Sequence, residues 1–281
     1  MAVLNQSFLE SQLDSTMWTI QSFDVVESTN IVVKDQIRKG NCHGFAACAL
    51  KQEGGYGRQG RQWVSPYGGL YISFALNPSL ELSQLSTFAL VASLGVAATI
   101  EPYCACGEVG IKWPNDLLIN RAKVTGISLE VVGSGALCAG VGINVFKPEM
   151  QPVTSGKYMP TYLSEQKGFS LRHPQVEKIA TCAGLTPSQA SVIENLAVQF
   201  MKNIQSYYEQ WSKDGFASVR TEYLSKLCFK GALIEMQAID SRAIERGVIV
   251  DVDTHGRLVI EKSKGVFQTV NSGEVHIVSL S

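Results

Sequence analysis

Residues 112–145 read KWPNDLLINRAKVTGISLEVVGSGALCAGVGINV and contain the clearest fold signal in the chain. Three strand-like runs, Leu117–Ile119, Lys123–Val132 and Ala136–Val145, are joined by turn signals at Asn120-Arg121 and Gly133-Ser134-Gly135. Gly140 and Gly142 alternate within the last run. They mark either a flat floor beneath a ligand or close packing within a sheet. Upstream, Trp18–Val26 predicts a strand, and Ser28, Thr29 and Asn30 offer helix caps for a segment stopping at Gly40. Phe45–Leu50 and Leu70–Leu76 predict strands, and Leu82–Ile100 a long apolar helix.

Downstream, residues 147–175 are rich in Pro, Gly and Ser and predict a surface excursion. A long helix is expected from Ser188 to about Lys213, and a second around Phe216–Leu227. Beyond Phe229 short strands recur at Leu233–Ile239, Gly247–Asp253, Leu258–Glu261, Val266–Val270 and Val275–Val278. That spacing predicts a small, mostly antiparallel barrel or sandwich. The expected division is a mixed α/β unit over 1–228 and a small β-unit over 229–281.

Of the 281 residues, 24 are Lys or Arg and 25 are Asp or Glu, a net charge of -1 that lacks the basic excess of a general nucleic-acid binder. Hydrophobic residues make up 45%, which excludes bulk disorder. The N-terminus shows neither the basic nor the apolar region of a signal peptide. The apolar run Phe88–Ala98 is about half the roughly twenty residues a membrane span needs, and it reads as a buried helix. Seven cysteines without a CxxC pair predict reduced core thiols in a cytoplasmic protein.

Four segments carry chemistry. In Gln52-Glu53-Gly54-Gly55-Tyr56-Gly57-Arg58-Gln59-Gly60-Arg61-Gln62-Trp63, the glycines let backbone N–H groups converge on an anion. Arg58 and Arg61 add fixed charge, and Trp63 a flat face. The same composition also describes a flexible loop with two solvated arginines. Lys112-Trp113-Pro114-Asn115-Asp116 places a phosphate-seeking lysine four residues from a carboxylate, or forms only a strand-entry turn with an ion pair. Lys123 opens an apolar strand in which Gly126 leaves room for a ligand, although a lysine there is usually solvated. Gly140-Val141-Gly142-Ile143-Asn144 is the fourth.

Taken in order, ESTN at 27–30, the Gly/Arg loop ending in Trp63, KWPND at 112–116, KVTGISLE at 123–130 and GVGINV at 140–145 resemble biotin protein ligases. Gly247–Asp253, Gly256-Arg257-Leu258 and Ser272-Gly273-Glu274-Val275 resemble that family's small C-terminal unit. The resemblance covers about residues 20–147 and 229–281. It implies an α+β fold: a class II aminoacyl-tRNA-synthetase-like catalytic domain, with a mixed sheet and helices, followed by an SH3-like β-barrel. About 20 residues precede the first catalytic strand, so the monofunctional type without a DNA-binding domain is expected.

The resemblance implies a two-step reaction. Biotin is activated with ATP to biotinyl-5′-AMP, and biotin is then transferred to a lysine of a carboxylase biotin carrier domain. It assigns Arg58, Lys112, Lys123 and Asp116 to catalysis. Ser28, Thr29, Gln52, Gly55, Tyr56, Arg58, Lys123, Gly126, Gly140 and Gly142 are expected around biotin. Arg58, Arg61, Trp63, Lys112, Asn115 and Asn144 are expected around the adenylate. Mg²⁺ is expected on the nucleotide phosphates rather than on protein ligands alone. Neither nucleic acid nor a membrane is an expected partner, and a homodimer is left open.

The chain departs from the family's usual GRGRRGRxW loop, with Tyr56 and Gln59 in place of arginines. Val275–Leu280 holds His276 but no arginine, and Lys147 lies near where some members place one. A lipoate or octanoate ligase of the same catalytic fold is the nearest alternative. A biotin-responsive repressor and an inert biotin-binding protein are the others.

Overall fold

The structure is a computed structural model describing residues 4–105, 109–149, 158–169, 185–237, 244–271 and 273–279. Two sheets organise it. The first runs β1 (Thr19–Val26), β2 (Phe45–Gln52), β3 (Gly69–Leu76), β7 (Ala136–Asn144), β6 (Ala122–Val132), β5 (Asp116–Ile119) and β4 (Val109–Lys112) in spatial order. Only the β1–β2 pair is parallel, and its crossover is the helix α2 (Thr29–Arg38). The second sheet is antiparallel, in the order β11 (Val266–Val270), β10 (Leu258–Ser263), β9 (Ile244–Val252), β8 (Leu233–Gln237) and β12 (Glu274–Ser279).

One face of the first sheet is covered by α4 (Phe88–Ile100), and α5 (Pro187–Asp214) packs against α4. Helix α4 is apolar on every side, which is stable only for a helix surrounded by protein. A Cβ on Gly95 would stand 3.1 Å from the Ile204 side chain, so the glycine lets the two helices approach closely. The 22-residue run Leu82–Tyr103 has the length and apolarity of a span, yet most of it lies inside this core. Helix α5 opens on a capping box between Thr186 and Gln189, with a proline at its first turn.

The other face is shared. Helix α2 covers its upper half over Ala47, Ala75, Ala136 and Cys138, and the lower half lies open as a cavity. The predicted Leu82–Ile100 helix is two helices, α3 (Leu82–Leu85) and α4. They are separated where Thr87 accepts a 2.8 Å hydrogen bond from the Trp211 indole. Strand β4 and the helix α1 (Gln6–Gln12) have no counterpart in the sequence reading. Phe216–Leu227 is a 3-10 turn followed by the helix α6 (Arg220–Lys226). The predicted excursion is only partly superficial, since Tyr162 and Leu163 are buried.

The sheets meet at a turn. The Trp113 indole, 2% exposed, donates a 2.9 Å hydrogen bond to the Gly256 carbonyl between β9 and β10. Arg220 of α6 holds the same turn through the Val252 carbonyl at 2.7 Å and the Asp251 carboxylate at 2.5 Å.

Candidate active site

Strand pairing builds the floor of the cavity in rows. Tyr71, Gly142, Gly126 and Asp116 lie opposite one another across β3, β7, β6 and β5, and Asp116 in turn opposes Lys112 of β4. Two residues further along, Ser73, Gly140 and Ser128 form the next row on the same face. The glycines keep this floor flat. A Cβ on Gly140 would run into Asn30 Oδ1, and one on Gly142 into the Trp63 indole nitrogen. The cavity above holds about 650 Å³, within the range of small-molecule sites.

Its α2 end is neutral and polar. The Thr29 backbone N–H donates to Gln52 Oε1 at 2.9 Å, with the Thr29 hydroxyl oxygen 3.1 Å from the same atom, and Gln52 Nε2 donates to the Ser65 hydroxyl at 2.9 Å. The Thr29 and Ser73 hydroxyls pair at 2.6 Å. Ser73 donates to Asn30 Oδ1 at 2.6 Å, and Asn30 Nδ2 to Ser128 at 3.0 Å. Ser28, at the N-cap of α2, lines this end without making a side-chain cap.

The opposite end is charged. Lys123 Nζ stands 2.6 Å from Asp116 Oδ1, and Lys112 Nζ, on a side chain 8% exposed, 3.8 Å from Oδ2. Lys112 also stacks over Tyr158, with Nζ 4.8 Å from the ring centre. Arg58 reaches this end from the glycine loop and donates to Asn115 Oδ1 at 2.8 Å, while Asn115 Nδ2 donates to the Ile127 carbonyl at 2.5 Å. Lys123 enters because of a β-bulge. The β5–β6 register shifts between Leu117 and Leu118, so Val124 turns into the core and its neighbour faces the cavity.

Trp63 crosses the floor between the two ends, against Gly126 and Gly142, with Lys123 Nζ 5.3 Å from its ring. Its indole N–H is buried without a partner among the described residues. The loop before it is a small hairpin. Gly57 N–H donates to the Arg61 carbonyl at 2.8 Å, and Trp63 N–H to the Gly55 carbonyl at 2.9 Å.

Ser28, Thr29, Gln52, Tyr56, Arg58, Arg61, Trp63, Lys112, Asn115, Asp116, Lys123, Gly126, Gly140, Gly142 and Asn144 all line this one cavity. Gly55 does not. A Cβ there would stand 2.6 Å from Ser65 Oγ and from the Trp63 carbonyl, so that glycine serves the packing of the loop. Lys147 pairs with Glu165 at 2.7 Å and also lies outside the cavity. His276 and Ser272 fall outside the described side chains.

Asn30, Ser73 and Ser128 were missed, although a serine inside the apolar β3 and another two residues after Gly126 were legible signals. Tyr158, Pro160 and Tyr162 close one wall through the pairing of residues 159–161 with Lys123, at 2.8 and 2.9 Å. Gly273, just before β12, completes the lining. Burial pushes the Cys48 and Cys138 thiols up to about 12, so neither is a nucleophile near neutral pH.

Residues 22–145 match the profile of the Biotin/lipoate A/B protein ligase family, and residues 234–278 that of the Biotin protein ligase C terminal domain. The "Bifunctional ligase/repressor BirA" of Bacillus spizizenii is 28% identical over 249 residues, 86% of this chain and 69% of that protein. The "Biotin--[acetyl-CoA-carboxylase] ligase" of Paracoccus denitrificans is 28% identical over 241 residues, 81% of this chain and 88% of that protein. The biotin protein ligase of Aquifex aeolicus in complex with biotin and ATP superposes with a TM-score of 0.72 at 26% identity, covering 92% of this chain and 98% of that one. With the glycine floor, the cationic end and the second sheet in place, the chain belongs to the biotin/lipoate A/B protein ligase family and carries the biotin protein ligase C-terminal domain.

Proposed function

We propose that the chain is a biotin protein ligase. It activates biotin with ATP to biotinyl-5′-AMP and passes the biotinyl group to a lysine of a carboxylase biotin carrier domain. The observation that carries this reading is the polarity of a single cavity. Neutral hydrogen-bonding groups of Thr29, Gln52, Asn30 and Ser73 stand at one end of a glycine floor, and Arg58, Lys112 and Lys123 at the other. A neutral ureido ring wants a dry slot with a few fixed donors and acceptors, and its carboxylate tail wants cations.

In the first step a biotin carboxylate oxygen attacks the α-phosphorus, and the bond to pyrophosphate breaks. Two anions must meet, so their repulsion is lowered by fixed cations that need no reorganisation at that moment. Lys112 and Lys123 are held ready by Asp116, which an incoming phosphate replaces as their partner. Arg58 exchanges Asn115 for the ligand in the same way. We assign Trp63, Arg61, Asn115 and Asn144 to the nucleotide side.

In the second step the lysine amine attacks the acyl carbon, the bond to AMP breaks, and the amine proton leaves. Once released from Lys123, Asp116 is placed to orient that amine. Carboxylates as a class are weak bases for an ammonium, so orientation is the larger part of its role.

No cluster of three or more His, Cys, Asp or Glu suited to a metal occurs among the described residues. Asp116, the carboxylate at the cationic end, is occupied by lysines. We place Mg²⁺ on the nucleotide phosphates, where it adds positive charge. A boundary at 228/229 and a cytoplasmic location belong to the same proposal.

The test is to mix the protein with biotin, Mg-ATP and a carrier domain, then look for one biotinyl mass increment on one lysine. An increment with lipoate or octanoate but none with biotin overturns the substrate assignment.

A further inference from the structure

The glycine loop is fastened at two places of different chemistry. Its tip is held by Arg58 on Asn115, a neutral acceptor that an anionic ligand can outcompete. Its base is held elsewhere. Tyr56, paired with Gln62 across the foot of the hairpin, donates its hydroxyl to Glu130 Oε1 at 2.8 Å. Lys34 Nζ meets Glu130 Oε2 at 2.9 Å and stands 5.1 Å from the centre of the Tyr56 ring. Asn30 Nδ2 lies 3.5 Å from Glu130 Oε1.

Glu130 follows Ser128 by two residues on the cavity face of β6, and Lys34 follows Asn30 by one turn of α2. Loop, helix and sheet are thus joined at the neutral end of the cavity, away from the reacting groups. Both carboxylate oxygens are engaged, and burial pushes the Tyr56 phenol up, so it keeps its proton and donates.

We propose that Tyr56 is a positioning residue: with Glu130 and Lys34 it forms a latch that keeps the foot of the loop closed over the biotin ring slot while the Arg58 tip exchanges partners. The latch rests on the ligase reading for its ligand but not for its existence. A foot fixed before binding removes part of the ordering cost that biotin would otherwise meet. The latch therefore acts on biotin capture, whereas Arg58 acts on the adenylate.

The experiment compares ligand-free wild type with Tyr56→Phe, Glu130→Gln and the double variant by amide hydrogen exchange over residues 57–63. Biotin KM, ATP KM and kcat are measured in parallel. Phenylalanine keeps the ring over Lys34 and leaves the Lys34–Glu130 pair intact, and thermal melting checks the fold. Loss of a half-buried hydrogen bond to a charged acceptor is expected to raise loop exchange and biotin KM by roughly five-fold each. The rise in biotin KM exceeds any change in ATP KM or kcat. The double variant falls short of the sum of the two single effects, because both single changes remove the Tyr56–Glu130 contact.

Unchanged loop exchange in Tyr56→Phe, or additive effects in the double variant, overturns the latch. Failure of the wild type to bind biotin overturns the ligase reading instead, and leaves the exchange result standing.

Discussion

Replacing Trp113 with phenylalanine removes the hydrogen bond by which the second sheet holds the β4–β5 turn. The indole N–H donates to the Gly256 carbonyl at 2.9 Å, and the residue is 2% exposed. Losing a buried donor leaves that carbonyl unpaired, at a cost of about 1–1.5 kcal/mol. The smaller ring leaves a void worth roughly another 1 kcal/mol. A total near 2 kcal/mol lowers the melting temperature of a chain of this size by roughly 4–8 °C. The turn carries Lys112, Asn115 and Asp116, so loosening it also slows adenylate formation, by roughly ten-fold, since small misplacements of reacting groups are costly. The assay pairs far-ultraviolet circular dichroism melting with single-turnover release of pyrophosphate. Unchanged melting refutes the packing argument. A lowered melting temperature with an unchanged first step refutes the idea that the second sheet positions the turn.

Arg58→Gly is expected to let biotinyl-AMP escape and label bystander lysines, read by mass spectrometry of an added non-substrate protein; intact retention counts against a role for the loop tip. Gly140→Ala drives a methyl group into Asn30 Oδ1 and should weaken biotin binding by roughly 100-fold or more, measured by calorimetry. Asp116→Asn should slow transfer to the carrier lysine by about two orders of magnitude, more than it slows pyrophosphate release, followed step by step. Burial pushes the Glu194 carboxyl up, against the smaller opposing pull of the Asn5 N–H. Its ionised form therefore costs stability, absent below the unfolded value of about 4.3 and complete above the raised folded value. Glu194→Gln should stabilise the protein at neutral pH, and the gain should vanish toward pH 4 in parallel denaturation curves.

Much of the site was legible because its chemistry lies in short segments. Gly140 and Gly142 alternate with the period of a strand, and that alone placed both on one face. What strand period cannot supply is the partner. Ser73 and Ser128 become part of the floor only through the register that sets them beside Gly140. Lys123 is the reverse case. Regular alternation back from Gly126 would send Val124 into the cavity and Lys123 away from it, and the bulge reverses both. The Leu82–Ile100 run read as one helix because its apolarity is continuous, while the break falls at Thr87, whose hydroxyl donates to the Gln84 carbonyl and accepts from Trp211, 124 residues away. Tyr158 and Pro160 lay hidden in a segment whose Pro, Gly and Ser content signals a surface loop, and the backbone of Lys123 draws them into the wall.

The net charge of -1 and the cationic end of the cavity are two aspects of one problem. A site for phosphate must gather positive groups, yet Lys112 and Lys123 cannot stand close together, partly out of water, without a counter-charge. Asp116 supplies it from the strand between them, bonded to one lysine and within 4 Å of the other. Arg58 reaches the same end from the glycine loop and meets the neutral Asn115. A ligand phosphate thus meets two lysines that must give up a carboxylate. The lysines stand on paired strands, whereas Arg58 stands on a loop able to follow the phosphate as bonds change, with the foot of that loop tied to Glu130.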